Sequence, residues 1–365
     1  MTRLLSLALA AVGLLAAQRP KPTIDPETRD GLLLEHIVQE TDRTEKLHYM
    51  EQFASQYPKH PAVLWVYDQL QPAYLNLKQF DDAMRIGDLR LTREPDNLDA
   101  AKLTLTAVEG TKDTDLFQKW SDRVWEAAAK AASGPRAEEA RQLQSYVEYR
   151  LYSMALEATT PQARIDQFQA LERRNPKSAY AANLPEQYFE AYREMGNTEK
   201  TFEIAQNILS TDPDNTDMLI AVADHYFRKD EHHDRVLAAS QKVIEILDTK
   251  TRPDSVSEDD WTKKKNQTLG NAYFMGGISS SFMSRYERAD SMLRKALPYL
   301  EADSPMAAGA LYHLGVSNYR MAEAGDTPKA ADALRFTRLC AAIKSNFQAQ
   351  AIKNVEAIRS EYNLP

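Results

Sequence analysis

Residues 64–97 read LWVYDQLQPAYLNLKQFDDAMRIGDLRLTREPDN, and the way this stretch ends decides the fold. Pro95 closes it, because a proline ring has no N–H and cannot continue a helical hydrogen-bond ladder. Asp96 and Asn97 come next, and such side chains cap the start of a new helix. The same punctuation returns at residues 210–215, STDPDN. Pro58, Pro95, Pro176 and Pro213 each stand after a helix-like stretch. From 58 to 95 is 37 residues, from 176 to 213 is again 37, and the 81 between 95 and 176 hold two more such units.

Working outward, Ala137–Glu157 and Ser304–Ala324 carry apolar residues at three- and four-residue spacing. No run of alternating β-branched residues competes, so the chain reads as all-α.

On these residues the chain resembles tetratricopeptide repeats, whose units run about 34 residues with a small residue near position 8, an aromatic near 11, alanine at 20 and proline at 32. Counted from Leu64, Tyr74 falls at 11, Phe80 at 17, Ala83 at 20 and Pro95 at 32. Counted from Ala182, Tyr192 falls at 11, Gly196 at 15, Leu209 at 28 and Pro213 at 32. Thr216 opens a unit with Ala223 and Tyr226 at 8 and 11; Gly270 opens one with Gly277, Tyr286, Ala289 and Ala296 at 8, 17, 20 and 27. A last unit from Ala308 has Leu314 and Gly315 at 7 and 8. Small residues at 8 and 20 let two antiparallel helices approach, and the aromatics fill the space beside them. Thr201 departs from alanine at 20, residues 96–175 lose most signature residues, and Gly325–Pro328 is an insertion.

The resemblance implies an all-α, right-handed α-solenoid of about eight stacked antiparallel helix pairs plus a C-terminal capping helix. That cap, about residues 347–361, carries the stripe Phe347, Ala351, Val355, Ile358 and Tyr362. AASGP at 131–135 and the polar stretch 248–260 divide the body into residues 30–132, 136–248 and 257–365.

Residues 1–17, MTRLLSLALAAVGLLAA, place Arg3 before an uncharged stretch of 14 residues. That is short of the roughly 20 that span a bilayer and has the layout of a signal peptide cut after Ala16 or Ala17. No cysteine stands at the cut, so no lipid anchor is expected there, and the mature chain should be periplasmic or secreted. Residues 18–29, with three prolines and no apolar period, read as a flexible leader. No later run suits a transmembrane helix.

Chemistry is sparse. With 45 basic against 53 acidic residues, a net charge of −8 disfavours nucleic acid as a partner. Twelve glycines and no Gly-rich phosphate loop, nucleophile elbow or His-Glu-x-x-His exclude the common cofactor and catalytic motifs. Cys340, the single cysteine, lies on an apolar stripe with no histidine near and reads as a core residue. His225, His232 and His233 straddle a turn between helices, which argues against a metal site. Asp81-Asp82, Glu138-Glu139 and Asp259-Asp260 stand where helices begin, so they offset helix dipoles. Lys263–Lys265 come after three acids and form a solvated face. No catalytic residue, metal or cofactor is expected.

In the tetratricopeptide family the first helix of each pair lines a groove, with positions 2, 5, 9, 12 and 13 facing it. Carried over, this implies Trp65, Asp68 and Asn76; then Asn183, Glu186, Glu190 and Arg193; then Asp217, Asp224 and Arg228; then Asn271 with Phe274; and finally Tyr312, Tyr319 and Arg320. The set lacks the Lys/Asn/Arg clamp that some members use for peptide carboxylates. It suits a basic or mixed extended peptide, or a helix, of a protein partner. The alternative is a carbohydrate or small ligand on an aromatic platform around Trp65. Oligomeric state is not written in the sequence.

Overall fold

A computed structural model describes residues 19–365 as 17 α-helices with no strand among the described residues. The signal-peptide reading of residues 1–17 lies outside the described residues. The chain divides into two compact units, residues 19–182 and 183–365.

The first unit holds four pairs: α1 (Arg29–Gln39) with α2 (Arg43–Gln56), α3 (Val63–Asn76) with α4 (Phe80–Arg93), α5 (Leu98–Thr111) with α6 (Thr114–Ala131), and α7 (Ala137–Glu157) with α8 (Pro161–Arg174). The second unit pairs α9 (Leu184–Glu194) with α10 (Thr198–Thr211), α11 (Thr216–Arg228) with α12 (His233–Thr249), α13 (Glu258–Phe282) with α14 (Tyr286–Ala296), and α15 (Pro305–Glu323) with α16 (Lys329–Ala342). A last helix, α17 (Gln348–Tyr362), has no partner of its own and packs on α16 and α15. The linkers are short, so consecutive helices return alongside one another. The expectation of about eight pairs and a cap is met.

The junctions work as the sequence implies. Asn97 accepts from the Ala100 N–H at 2.9 Å and opens α5; Asn215 accepts from Met218 at 3.3 Å and opens α11. Ser257 accepts from Asp260 at 3.1 Å and opens α13. Each such bond satisfies one of the N–H groups a helix start leaves unpaired. The three acidic pairs all fall in first turns, of α4, α7 and α13.

Two glycines at position 8 of their repeats mark close helix approaches. A Cβ on Gly277 would lie 2.6 Å from the Leu293 side chain and 3.2 Å from its backbone nitrogen, so α13 and α14 meet where no side chain fits. On Gly315 it would lie 2.4 Å from Thr337 Oγ1, which holds α15 against α16 in the same way. Ala83 and Ala289, the alanines at position 20, are fully buried. The cap behaves as its stripe implies: Ala351 and Ile358 are buried, and Val355 and Tyr362 pack onto Ala333, Leu334 and Ile358. Covering Ile358 alone stabilises this end by on the order of 2 kcal/mol. Phe347 stands just before α17 and stacks on Tyr312 at 4.9 Å.

First helices do more than pair. In the second unit α11 touches α13 and α13 touches α15, whereas the second helices approach one another less. A row is concave on the side where its members are closer, so the first helices line the inner side there. In the first unit α3 touches α5 in the same sense. From α5 to α8 the order inverts: α6 touches α8, and α5 and α7 stand further apart.

Cys340 is a core residue. Its thiol is buried and donates to the Ala308 carbonyl at 3.4 Å, and burial pushes its pKa up to about 11. His313 is buried beside Ser281, with Nδ1 at 3.1 Å from the Ser281 hydroxyl, and burial pulls its pKa down to about 4.

This packing makes two predictions. Gly277→Ala should lower the urea midpoint by the equivalent of about 1–3 kcal/mol, against the roughly 1 kcal/mol gain that alanine brings to an open helix interior. A midpoint that rises would show that α13 and α14 can part at no cost. His313 binds protons more weakly folded than unfolded, so stability should be full above about pH 6.5 and fall as pH drops toward 4. The shift corresponds to about 3 kcal/mol, and His313→Gln should flatten that part of the pH profile.

Candidate functional site

The inner side of the second unit carries a row of rings. Phe227 on α11 meets Phe274 on α13 edge to face, with centroids 5.8 Å apart. Gly309 on α15 lies between Phe274 and Phe347: a Cβ there would touch one ring at 3.6 Å and the other at 3.4 Å. Tyr312 completes the row against Phe347. Phe274 is buried, while Phe227, Tyr312 and Phe347 are half-buried and keep ring surface toward solvent. Their spacing explains the row. Phe227, Phe274 and Tyr312 occupy the first-helix positions that face the neighbouring first helix, and Gly309 leaves room between them.

Polar groups at the expected groove positions are mostly neutralised by neighbours on their own helix. Arg228 donates to Asp224 at 2.6 Å, and Arg193 pairs with Glu190. Arg320 donates to Glu323 at 2.7 Å and stands over the Tyr319 ring. Lys264 reaches Asp217 at 2.7 Å, linking α13 to α11. Glu186, Asn183, Arg193, Arg228 and Arg320 are exposed, and Asn271 is half-buried. Tyr319 faces the cap instead: its hydroxyl donates to Glu361 at 2.9 Å, which pushes its pKa up, and its ring packs against Tyr362.

In the first unit, α3 presents Trp65 half-buried, Asp68 half-buried and Asn76 exposed. Trp65 stacks on no other ring among the described residues. Asp68 is engaged twice. Arg90 of α4, only 4% exposed, forms an ion pair with it at 2.7 Å, and Arg19 donates to it at 2.8 Å.

Sequence reasoning missed a ladder of charges on α5 and α7. Lys102 of α5 pairs with Glu139 of α7, and Arg136 donates to both Asp99, at 2.8 Å, and Glu139, at 2.6 Å. Glu109 accepts from the Tyr146 hydroxyl at 2.8 Å and from Arg150 at 3.1 Å. The Arg136 hydrogen bond, with help from Lys102 and against the cost of burial, holds the Glu139 carboxyl down at about 2. A signal was present: Leu98 is 34 residues beyond Leu64, so Asp99 and Lys102 repeat the places of Trp65 and Asp68. The loss of small and aromatic signature residues hid that register.

The remaining candidates scatter. His225 stacks on Phe202 at 3.8 Å, and His233 stacks on Phe282 at 4.8 Å. Two surface depressions lie away from the ring row. One, of about 450 Å³, lies between Leu334, Arg338 and Leu364; the other, of about 530 Å³, lies at the loop tips around Phe80 and Asp113. No helix among the described residues is long and apolar enough to cross a membrane.

Helix pairs stacked on neighbours, small residues at crossing points and, in the second unit, first helices on the inner side define a tetratricopeptide-like helical repeat. No protein-family model and no curated protein matches the chain. Among solved structures it is similar to a tetratricopeptide repeat protein from Parabacteroides merdae, at 15% identity over 77% of this chain and 97% of that one, with a TM-score of 0.28. It is also similar to the tetratricopeptide domain of P58(IPK), at 14% identity over 90% and 96%, with a TM-score of 0.25. Likenesses of that size say nothing about a ligand, and the repeat assignment rests on how the helix pairs pack.

Glu109 ties α5 to α7 where their backbones stand apart, so Glu109→Ala should cost about 1–2 kcal/mol in urea unfolding. Glu138→Ala, which removes exposed contacts to Arg141 and Gln142 on the same helix and one first-turn charge, should cost no more than about 0.5 kcal/mol. Equal effects would mean that the inter-helix bridge contributes nothing.

Proposed function

We propose that this chain is an exported, non-catalytic binding protein whose first-helix face in the second unit takes a protein partner, as an extended peptide or a helix. The observation that carries the reading is the row Phe227, Phe274, Tyr312 and Phe347, with exposed Arg228 beside it. Rings that keep one face toward solvent supply contact area at low entropic cost, and aromatic and arginine side chains dominate binding energy at protein interfaces. The charges at the expected groove positions, mostly paired on their own helices, set register and orientation without demanding a strongly charged ligand. Export is supported by the signal-like residues 1–17, and a periplasmic or secreted chain would meet its partner there.

A sugar or small ligand is the weaker reading. Sugars favour an open coplanar platform, whereas Trp65 has no ring beside it among the described residues and Phe227 meets Phe274 at 65°.

The test is capture from envelope and secreted extracts on the immobilised chain, and then affinity measurement with the captured partner. Tyr312→Ala and Arg228→Ala, each checked for unchanged helix content, should weaken binding by at least about tenfold, or about 1.4 kcal/mol. Unchanged affinity in both would move the interface off this face. Binding of a glycan with no protein captured would overturn the reading in favour of the sugar alternative.

A further inference from the structure

The seat on the first unit is built for a guanidinium, and the chain fills it itself. Arg19 donates through Nε to Asp68 at 2.8 Å and through Nη2 to Glu94. Asp68 belongs to α3, and Glu94 is the residue that ends α4, so one arginine bridges both helices of a pair. Glu94 also accepts from the Asn97 side chain at 2.8 Å, which fixes its carboxylate. Beneath them Arg90 is 4% exposed, paired with Asp68 and Gln71, and its Nε finds no acceptor among the described residues. Charge balance explains why the seat needs an occupant. Asp68 and Glu94 carry two negative charges, Arg90 returns one, and Arg19 supplies the other. Burial would raise the Glu94 pKa, but the hydrogen bonds from Arg19 and Asn97 outweigh it and hold the carboxyl below its ordinary range.

The segment behind Arg19 suits a strap. Pro20, Pro22 and Pro26 restrict the backbone before Thr28 caps α1, so little entropy is lost in keeping it extended. Arg19 lands on the second helix pair although its segment leads into the first. Asp68 is also one of the first-helix positions expected to face a ligand.

We infer that residues 19–28 form an intramolecular strap whose Arg19 plugs an arginine-selective seat made by Asp68 and Glu94, so that an arginine-bearing peptide enters that seat only by displacing the strap. Lysine is a poorer substitute, because its compact, strongly hydrated ammonium lacks the rigid planar fork whose Nε–H and Nη2–H point at the two carboxylates. The inference extends the peptide-binding reading to the first unit, but its test uses the chain's own segment and does not depend on the ring row or on any captured partner.

The experiment titrates a labelled peptide of residues 18–28, QRPKPTIDPET, into the full chain. Tethering gives the strap an effective concentration of the order of millimolar, so Arg19→Ala in the chain should tighten peptide binding by about tenfold or more over wild type. Adding Glu94→Gln to that chain, or replacing the arginine of the peptide by alanine or lysine, should reverse the gain. Glu94→Gln is used because Asp68 also neutralises Arg90, and its loss could unfold the pair. In parallel, hydrogen exchange at residues 23–28 should be faster in Arg19→Ala than in wild type. Equal peptide affinity for wild type and Arg19→Ala, no binding at millimolar peptide, tight binding of the arginine-free peptide, or unchanged exchange would each overturn the inference.

Discussion

A single helix pair cannot bury its own apolar face, and every feature of this chain answers that constraint. The answer is stacking, and stacking works only where helices come close. At Gly277 and Gly315 the absent side chain is what allows contact, since a Cβ would collide with Leu293 or Thr337. These crossings let α13 and α15 lie flat against their partners, and a flat pair offers an apolar face that the next pair can cover. The last face has no further pair. It is covered by α17, whose Ala351 and Ile358 are buried while Ile352 on its outer side is exposed.

Where close approach fails, charge takes over. Between α5 and α7 the first helices stand apart, and the gap is crossed by Lys102 to Glu139, Arg136 to Asp99, and Tyr146 and Arg150 to Glu109. Long side chains span a distance that alanine and glycine cannot. These bridges are half-exposed, so each is worth less than a buried pair, but they share partners, and a shared side chain loses its freedom only once. These two stretches therefore join their first helices differently. Residues 270–342 use small residues and rings, and residues 98–150 use ion pairs.

That difference explains what could be read from the sequence. Pro95 with Asn97 and Pro213 with Asn215 mark helix ends by backbone chemistry that does not depend on the rest of the fold, so the pairs were legible. Gly277 and Gly315 were legible because an exposed glycine has no reason to recur at one place in a repeat. The ladder of charges was not, because a lysine and a glutamate 37 residues apart look like any solvated face until the helices are paired. Arg19 was hidden for the same reason at greater range: its partners lie 49 and 75 residues away, and three prolines nearby read as a leader without structure. Of the groove positions, Phe274 and Tyr312 could be placed by register, but Phe347 could not. It belongs to the cap by sequence and joins the row only because α15 carries Gly309 at the point where the two rings approach.

The ring row shows how stability and recognition can share residues. A first helix must present apolar groups toward its neighbouring first helix, or the stack would open on its inner side. On a concave side those groups cannot all be covered, since the helices converge there and the rings are squeezed outward. Phe274 ends up buried and Phe227, Tyr312 and Phe347 only half so. The leftover apolar surface is thus a geometric consequence of curvature, and in the proposed function a peptide lying along it would complete the burial the fold leaves undone. The first unit reaches a similar end by electrostatics: helix ends and a buried Arg90 gather Asp68 and Glu94, and the carboxylates then require a cation, which the chain brings from its own N-terminal segment. In both units the surface proposed to meet a ligand is what remains after the helix pairs have satisfied one another.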